Sequence, residues 1–365
     1  RLDHAQPDDS QYLAHLLRSG AQRCFRRFPY LRTLIPKRRS RVSKVSPSFH
    51  DLHPDTDDLA ADVLTGFART QKSIPPKYFY DEEGSRLFDA ITELPEYYPT
   101  RTETAILRAY ADDIAQKAGT GHLLVEPGSG SCTKARILFE GLQPCAYVPM
   151  DISRDHLRVA AERIAVEYPW LEVHAACTDF TRLMTLPPSS PEGRRLAFFP
   201  GSSIGNFDPD AAVGFLRMIA DMVGPGGQLL IGVDLKKERR ILEAAYDDTR
   251  GVTAAFNLNL LTRINRELDA DFDLSQWQHR ALYNEEAGRI EMHLVSLAEQ
   301  EVSLSGRRFH FAQGETIHTE NSYKYSVEEF RDLAARAGFM TDTIWVDENR
   351  LFSLHLLQTG GADEG

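Results

Sequence analysis

Between residues 122 and 234, short apolar runs at 122–126, 146–151, 171–176, 196–199 and 228–234 alternate with amphipathic stretches at 133–142, 155–168 and 211–223. Runs of four to seven residues are short for helices and fit strands buried on both faces. Strands joined by helix-length crossovers pair in parallel, so this segment is expected to form a mostly parallel sheet covered by helices. Pro225-Gly226-Gly227 turns the chain into the last of these strands.

The flanks differ. Residues 57–70 read as an amphipathic helix. A second helix is expected near 100–111, opened by a capping box of Thr100 and Glu103. Between them, residues 73–100 are crowded with aromatics and prolines, which suggests a pocket wall or lid, or plain aromatic packing on the core. After residue 234 the rhythm breaks. Helices are expected at 238–245 and 252–268. Antiparallel strands are expected at 280–285, 289–298 and 301–311, turning at Glu286-Ala287-Gly288 and Ser305-Gly306. A helix at 326–338, capped by Ser326 and Glu329, and strands at 341–347 and 351–357 follow. An excursion inserted between late sheet elements forms a second lobe over the carboxyl ends of the strands. The expected organisation is a basic, flexible extension over 1–55 and a sheet domain with its N-terminal helices and aromatic segment over 56–235. An inserted lobe over 236–325, a return to the sheet over 326–358 and a tail over 359–365 complete it.

Net charge narrows the partners. The 365 residues carry a formal charge of -11, which disfavours a nucleic-acid substrate held by its phosphates. The first fifty residues are the exception, with eleven Lys and Arg against three Asp, and the stretch 13–30 has the composition of a short basic helix. No apolar run is long enough for a membrane span, no secretory cleavage pattern is visible, and a cytoplasmic location is expected. Cys24, Cys132, Cys145 and Cys177 lack metal-binding or redox spacing, so reduced thiols and no metal site are expected.

Three strand ends carry the cofactor signal. Glu126-Pro127-Gly128-Ser129-Gly130 follows the first strand; its glycines let the backbone approach a ligand, but it lacks the third glycine of the dinucleotide fingerprint. Asp151 ends the second strand, where a carboxylate accepts both hydroxyls of a ribose. Thr178-Asp179-Phe180 follows the third, offering an acceptor for the adenine amino group and a ring to pack on it. In this order the three point to an adenosine without a pyrophosphate, and so to S-adenosylmethionine.

Longer motifs sharpen this. Ile74-Pro75-Pro76-Lys77-Tyr78-Phe79-Tyr80-Asp81, Gly84-Ser85-Arg86-Leu87-Phe88-Asp89 and Leu94-Pro95-Glu96-Tyr97-Tyr98-Pro99-Thr100-Arg101 lie upstream of the sheet. Gly201-Ser202-Ser203-Ile204-Gly205-Asn206-Phe207, Ala245-Tyr246-Asp247-Asp248, Phe256-Asn257, Asn265-Arg266-Glu267, Arg289-Ile290-Glu291-Met292 and Thr319-Glu320-Asn321-Ser322 follow. Over roughly residues 60–358 the chain resembles the histidine-specific N-alpha-methyltransferases that begin ergothioneine biosynthesis. The resemblance implies an α/β fold: a Rossmann-like class I methyltransferase sheet with an inserted α+β substrate-binding lobe. It implies trimethylation of free L-histidine to hercynine by S-adenosylmethionine, and a monomer is expected. By position, Tyr80, Gly128, Lys134, Asp151, Asp179 and Phe180 would contact the methyl donor. Asn206 and Tyr246, with Gly201 nearby, would hold the substrate carboxylate. Tyr97, Glu320 and Ser322 would read the imidazole, Met292 would line the pocket, and Phe88 would sit near the amine. Tyr80, Phe88, Asn206 and Tyr246 would then form the catalytic set.

The residue chemistry agrees with that assignment. A carboxylate leaving water needs hydrogen-bond donors, which Asn206 and Tyr246 supply, and Glu320 accepts from a protonated imidazole nitrogen. Without the resemblance, Asn206 reads equally as a helix cap and Glu320 as a strand-surface charge. Other readings are methylation of another free amino acid or small amine such as a tryptophan derivative, methylation of a macromolecule docked by the basic extension, and a non-catalytic adenosine-binding scaffold. The sequence departs from the family pattern at Pro127, at the polar and aromatic Asn321, Tyr323 and Tyr325, and in the basic extension.

Overall fold

In the computed structural model, which describes residues 46–52, 59–182 and 184–361, the chain opens with β1 (Ser48–Asp51), α1 (Leu59–Phe67) and β2 (Lys72–Ser73). Helices α2 (Glu82–Thr92) and α3 (Tyr98–Ala118) lead into β3 (Leu123–Pro127), α4 (Arg136–Leu142), β4 (Ala146–Asp151), α5 (Arg154–Glu167) and β5 (Glu172–Cys177). Then come β6 (Arg195–Phe199), α6 (Pro209–Val223), β7 (Gln228–Asp234), α7 (Arg239–Tyr246) and α8 (Val252–Leu268). Strands β8 (Trp277–Asn284), β9 (Arg289–Ser296), β10 (Gln300–Leu304), β11 (Arg307–Phe311) and β12 (Thr316–Tyr323) follow, then α9 (Val327–Arg336), β13 (Phe339–Val346) and β14 (Phe352–Thr359).

Eight strands make one sheet in the order β1-β5-β4-β3-β6-β7-β14-β13. Strands β1 and β3 to β7 are parallel, and β14 runs antiparallel between β7 and β13. The expected doubly covered sheet is present because alternate residues of each central strand enter opposite cores. Leu123 and Val125 pack with Phe215, Leu216 and Ile219 of α6. Leu124 packs with Ile106 and Leu107 of α3 and Phe139 of α4. The order reverses at β3: the chain steps outward to β4 and β5, then crosses to β6 and β7. Ligands bind at such a switch point, beyond the carboxyl ends of the strands.

Strands β2, β12, β9 and β8 form a second sheet beside the β10–β11 hairpin. Its short β2 comes from between β1 and β3 of the main sheet: Lys72 pairs with Ile317 and Ser73 with His318. The aromatic segment shares one buried cluster with this lobe, joining Phe79, Ile91 and Tyr97 to Phe256 and Leu260 of α8 and to Met292 of β9.

Several sequence expectations need correction. Helix α3 begins at Tyr98 without a side-chain cap. Glu103, expected to close a capping box, is instead fully buried and binds Lys134 and the amide of Gly201. Ser48–Asp51, inside the expected flexible extension, pairs with β5 as an edge strand. The expected basic helix at 13–30 and the start of the helix at 57–70 lie outside the described residues. Helix α2 was not anticipated, and β12 was present only in the alternative reading of Glu320 as a strand-surface charge, which the inward Glu320 corrects. In β12 the inward positions include Glu320 and Ser322, so it shows no apolar alternation.

The capping box of α9 is present in full: Ser326 Oγ accepts from the Glu329 amide at 3.1 Å, and Glu329 accepts from the Ser326 amide at 2.7 Å. Replacing Ser326 with alanine is expected to cost about 1 kcal/mol and to lower the thermal midpoint by about 2 °C, measurable by differential scanning calorimetry.

Candidate active site

A cavity of about 360 Å³ lies at the carboxyl ends of β3, β4 and β5. Gly128 and Gly130 line it with φ of +68° and +49°. A Cβ on Gly128 would come within 3.2 Å of the Phe180 ring, so only glycine leaves that space open without strain. Asp151 accepts from the amides of Gly130 and Ser153, both at 2.9 Å, which fixes its carboxylate in the wall. Burial raises its carboxyl above the ordinary range.

Asp179 is 4% exposed. Its Oδ1 accepts from Thr181. Its buried Oδ2 has no hydrogen-bond partner among the described residues, and the Lys77 ammonium stands 3.9 Å away. An orphaned acceptor beside an anchored carboxylate suits a ligand that brings donors, such as a ribose diol and an adenine amino group. Two carboxylates would repel a pyrophosphate. The residues therefore fit the adenosine of S-adenosylmethionine. Lys134 does not line this cavity; its ammonium pairs with buried Glu103, near Gly201.

A second pocket shares Tyr80, Phe88, Ser203 and Asn206 with the first. It brings together every residue expected at the acceptor: Tyr80, Phe88, Tyr97, Gly201, Asn206, Tyr246, Met292, Glu320 and Ser322. They come from the turn before α2, from α2 itself, from the start of α3, the loop after β6, the end of α7, β9 and β12. Asn206 Nδ2 donates to Glu320 Oε1 at 2.9 Å, and the hydroxyls of Tyr246 and Ser322 are 2.8 Å apart. Asn206 does not cap α6, whose N-cap is Asp208. Tyr80 and Phe88 meet edge to face at 5.7 Å, and Phe256 lies 5.9 Å and 6.0 Å from them, forming an aromatic corner.

Register sets the direction of Glu320. In the β9–β12 pairing, Ile317 opposes Leu294, Glu320 opposes Met292 and Ser322 opposes Ile290. Leu294, Met292 and Ile290 all face the core. Strand residues alternate faces, so Ile317 and Glu320 share a face only because the pairing slips between His318 and Glu320. This β-bulge turns Glu320 and Ser322 inward. Thr319 spans it, donating to the Met292 carbonyl at 3.0 Å. Gly205 allows the loop carrying Asn206 to meet β12: a Cβ there would lie 2.7 Å from the Tyr323 carbonyl oxygen.

Burial pushes the Glu320 carboxyl up to about 7, against the Lys324 ammonium and the Asn206 amide, which pull it down. Burial also holds the phenols of Tyr80, Tyr97 and Tyr246 above their ordinary value, so all three keep their protons at neutral pH. Sequence reasoning missed Lys324, Phe256 and Glu103 as parts of this neighbourhood. For Lys324 a signal existed: Glu320, Ser322 and Lys324 stand at two-residue intervals, the spacing of one strand face.

A doubly wound sheet with a glycine turn and two acidic strand ends around an adenosine-sized cavity defines an S-adenosylmethionine-dependent methyltransferase. The family model described as "Histidine-specific methyltransferase, SAM-dependent" matches residues 59–359, and the chain belongs to that family. It is similar to the histidine N-alpha-methyltransferase of Mycolicibacterium smegmatis, 43% identical over 304 residues covering 82% of this chain and 94% of the relative. It is also similar to the L-tryptophan methyltransferase of Psilocybe serbica, 28% identical, covering 82% of this chain and 92% of the relative. The CcbJ methyltransferase structure from Streptomyces caelestis aligns with a TM-score of 0.45 at 14% identity, covering 77% of this chain and 100% of that one.

Glu320 also makes stability pH-dependent. A carboxyl with a raised folded-state pKa contributes stability fully below about 4.5 and loses it as pH rises to about 7. That loss is on the order of 3 kcal/mol. Glu320→Gln is expected to remove this component, so the difference in stability between variant and parent should grow from pH 4.5 to 7 and level off above it. Urea unfolding across that range measures it.

Proposed function

We propose that the protein transfers methyl groups from S-adenosylmethionine to the alpha-amino group of free L-histidine, three times in succession, yielding N,N,N-trimethylhistidine (hercynine) for ergothioneine biosynthesis. The observation that carries this reading is the inward Glu320 carboxylate, with Ser322 and Tyr97, in a pocket that shares walls with the donor cavity. A carboxyl brought to about 7 by burial matches an imidazole, whose own pKa is about 6.5, so the two readily share a proton. A side chain of similar size without nitrogen donors would leave Glu320 with Asn206 as its one donor among the described residues, a penalty an apolar pocket could not impose.

When bound, S-adenosylmethionine supplies an electrophilic methyl group on a positively charged sulfur. This chain's part is to position. Gly128, Asp151, Asp179 and Phe180 would hold the adenosine. Asn206 carries two N–H donors; one is engaged by Glu320, and the second is available to the substrate carboxylate. The Tyr246 hydroxyl is the second donor for that carboxylate. With carboxylate and imidazole both fixed, the amine is directed at the wall of Tyr80 and Phe88, where the two cavities meet. The nucleophile is the neutral amine. Tyr80 stays protonated and is not its base; its hydroxyl oxygen can hold a water that carries the proton to solvent. The aromatic corner suits the growing methylammonium through cation–π attraction.

Two measurements test the reading. Mass spectrometry of the protein incubated with S-adenosylmethionine and each of the twenty free amino acids is expected to show gains of one, two and three methyl groups on histidine alone. Products on tryptophan or another amino acid would overturn the role given to Glu320. Glu320→Ala is expected to lower kcat/KM for histidine by about 10- to 100-fold, while the affinity for S-adenosylhomocysteine in calorimetry stays within about twofold; equal losses in both would misplace the residue.

A further inference from the structure

Beneath the acceptor pocket lies a cation to which the reading above gives no task. The Lys324 side chain is 0% exposed, and its ammonium meets three groups: Asp234 Oδ2 at 2.7 Å, Ser322 Oγ at 2.7 Å and the Tyr246 hydroxyl at 3.0 Å. An ammonium has three N–H donors, so all three are engaged. Asp234 is 1% exposed and also accepts from Tyr98 and Lys237. Burial alone would raise its carboxyl, but the Lys324 and Lys237 ammoniums outweigh that and hold it below the ordinary carboxylate range.

Proton counting then leaves one hydroxyl proton free for a ligand. Tyr246 and Ser322 each accept from Lys324, and their oxygens are 2.8 Å apart. They own two hydroxyl protons. One closes the bond between them. The other has no further acceptor among the described residues, and both side chains line the pocket. A ligand bearing an acceptor therefore meets an outward O–H with a buried positive charge directly behind it. Such charge-backed donors favour an anion over a neutral group.

We propose that Lys324 is a carboxylate-positioning residue. By engaging its three N–H groups with Asp234, Ser322 and Tyr246, it aims one hydroxyl proton into the pocket and makes the acceptor site select an alpha-carboxylate over the corresponding decarboxylated amine. The proposal rests on the reading of this pocket as an amino-acid site. It assigns Lys324 no contact with substrate. Tyr246 and Ser322 are its intermediaries, and Asp234 orients it from behind.

A merely structural lysine would weaken every ligand together, so the test is a ratio. Binding of histidine and of histamine, its decarboxylated amine, is measured by calorimetry on the full chain saturated with S-adenosylhomocysteine. Wild type is expected to prefer histidine by more than tenfold. In Lys324→Gln, histidine affinity is expected to fall about 10- to 100-fold, histamine affinity to change less than about threefold, and S-adenosylhomocysteine affinity to stay unchanged. Equal losses for histidine and histamine, or a preserved preference, overturn the proposal. If the single variant no longer binds S-adenosylhomocysteine, Lys324→Met, which removes the charge, keeps the length of the side chain and leaves Asp234 paired with Lys237 and Tyr98, carries the same comparison. A wild type that shows no preference for histidine, or for whichever amino acid it methylates over that acid's decarboxylated amine, refutes the amino-acid reading itself rather than the role of Lys324.

Discussion

Asp234 is a charge taken out of water at the carboxyl end of β7, and such a burial is tolerable only when its lone pairs are met. Two distant parts of the chain and one adjacent residue meet them: Tyr98 from the start of α3, Lys324 from just beyond β12, and Lys237 from the loop directly after β7. Through these contacts the main sheet, the first long helix and the lobe share one polar knot. Helix α3 also carries Glu103, which holds Lys134 and the backbone amide of Gly201. Strand β12 carries Glu320 and Ser322. Removing the Asp234 carboxylate would leave two buried ammoniums without their counter-ion, and both walls of the acceptor pocket would lose a fixed reference.

Precision at the pocket arises from backbone devices. The bulge at His318–Glu320 changes which face of β12 is acidic, and Gly205 lets a loop of the main sheet touch that strand. Neither supplies a functional atom. Together they bring Asn206, from the loop after β6, to within hydrogen-bond distance of Glu320, 114 residues away in sequence. A single-residue slip of β12 beyond the bulge would turn Glu320 and Ser322 outward.

The main sheet was legible because its signals are local. The expected bounds of β4, β7 and α8 coincide with those observed, since a doubly buried strand is a short apolar run between turns and α8 is a long periodic helix. That Gly128, Asp151, Asp179 and Phe180 would gather in one cavity was legible too, because they lie at strand ends, whereas Lys134, expected with them, does not line it. The lobe was harder: β12 buries polar side chains, so its pattern does not look like a strand. The acceptor residues span Tyr80 to Ser322, and no spacing rule connects them; they came from resemblance to a family. Glu103 shows the opposite failure, where a good local motif, Thr100 with Glu103, lost to a tertiary demand for a buried acceptor. Lys324 keeps the two-residue spacing of Glu320 and Ser322, but its partner Asp234 is far away in sequence and only the fold brings the two together.

The two-residue strand β2 has a consequence in time. Its neighbour Gln71 bonds to Thr316, 245 positions later. At a synthesis rate of roughly 5–20 residues per second, the partner strand emerges roughly 10–50 s afterwards. Through that interval Val63, Phe67, Ile74 and Phe79, all buried in the finished protein, lack the completed lobe that buries them. The strands bearing the glycine turn, Asp151 and Asp179 are complete well before then. The nascent protein thus holds the makings of a donor crevice while its acceptor side is still an exposed apolar segment awaiting its other half, and no contiguous excision of the chain would release the lobe intact.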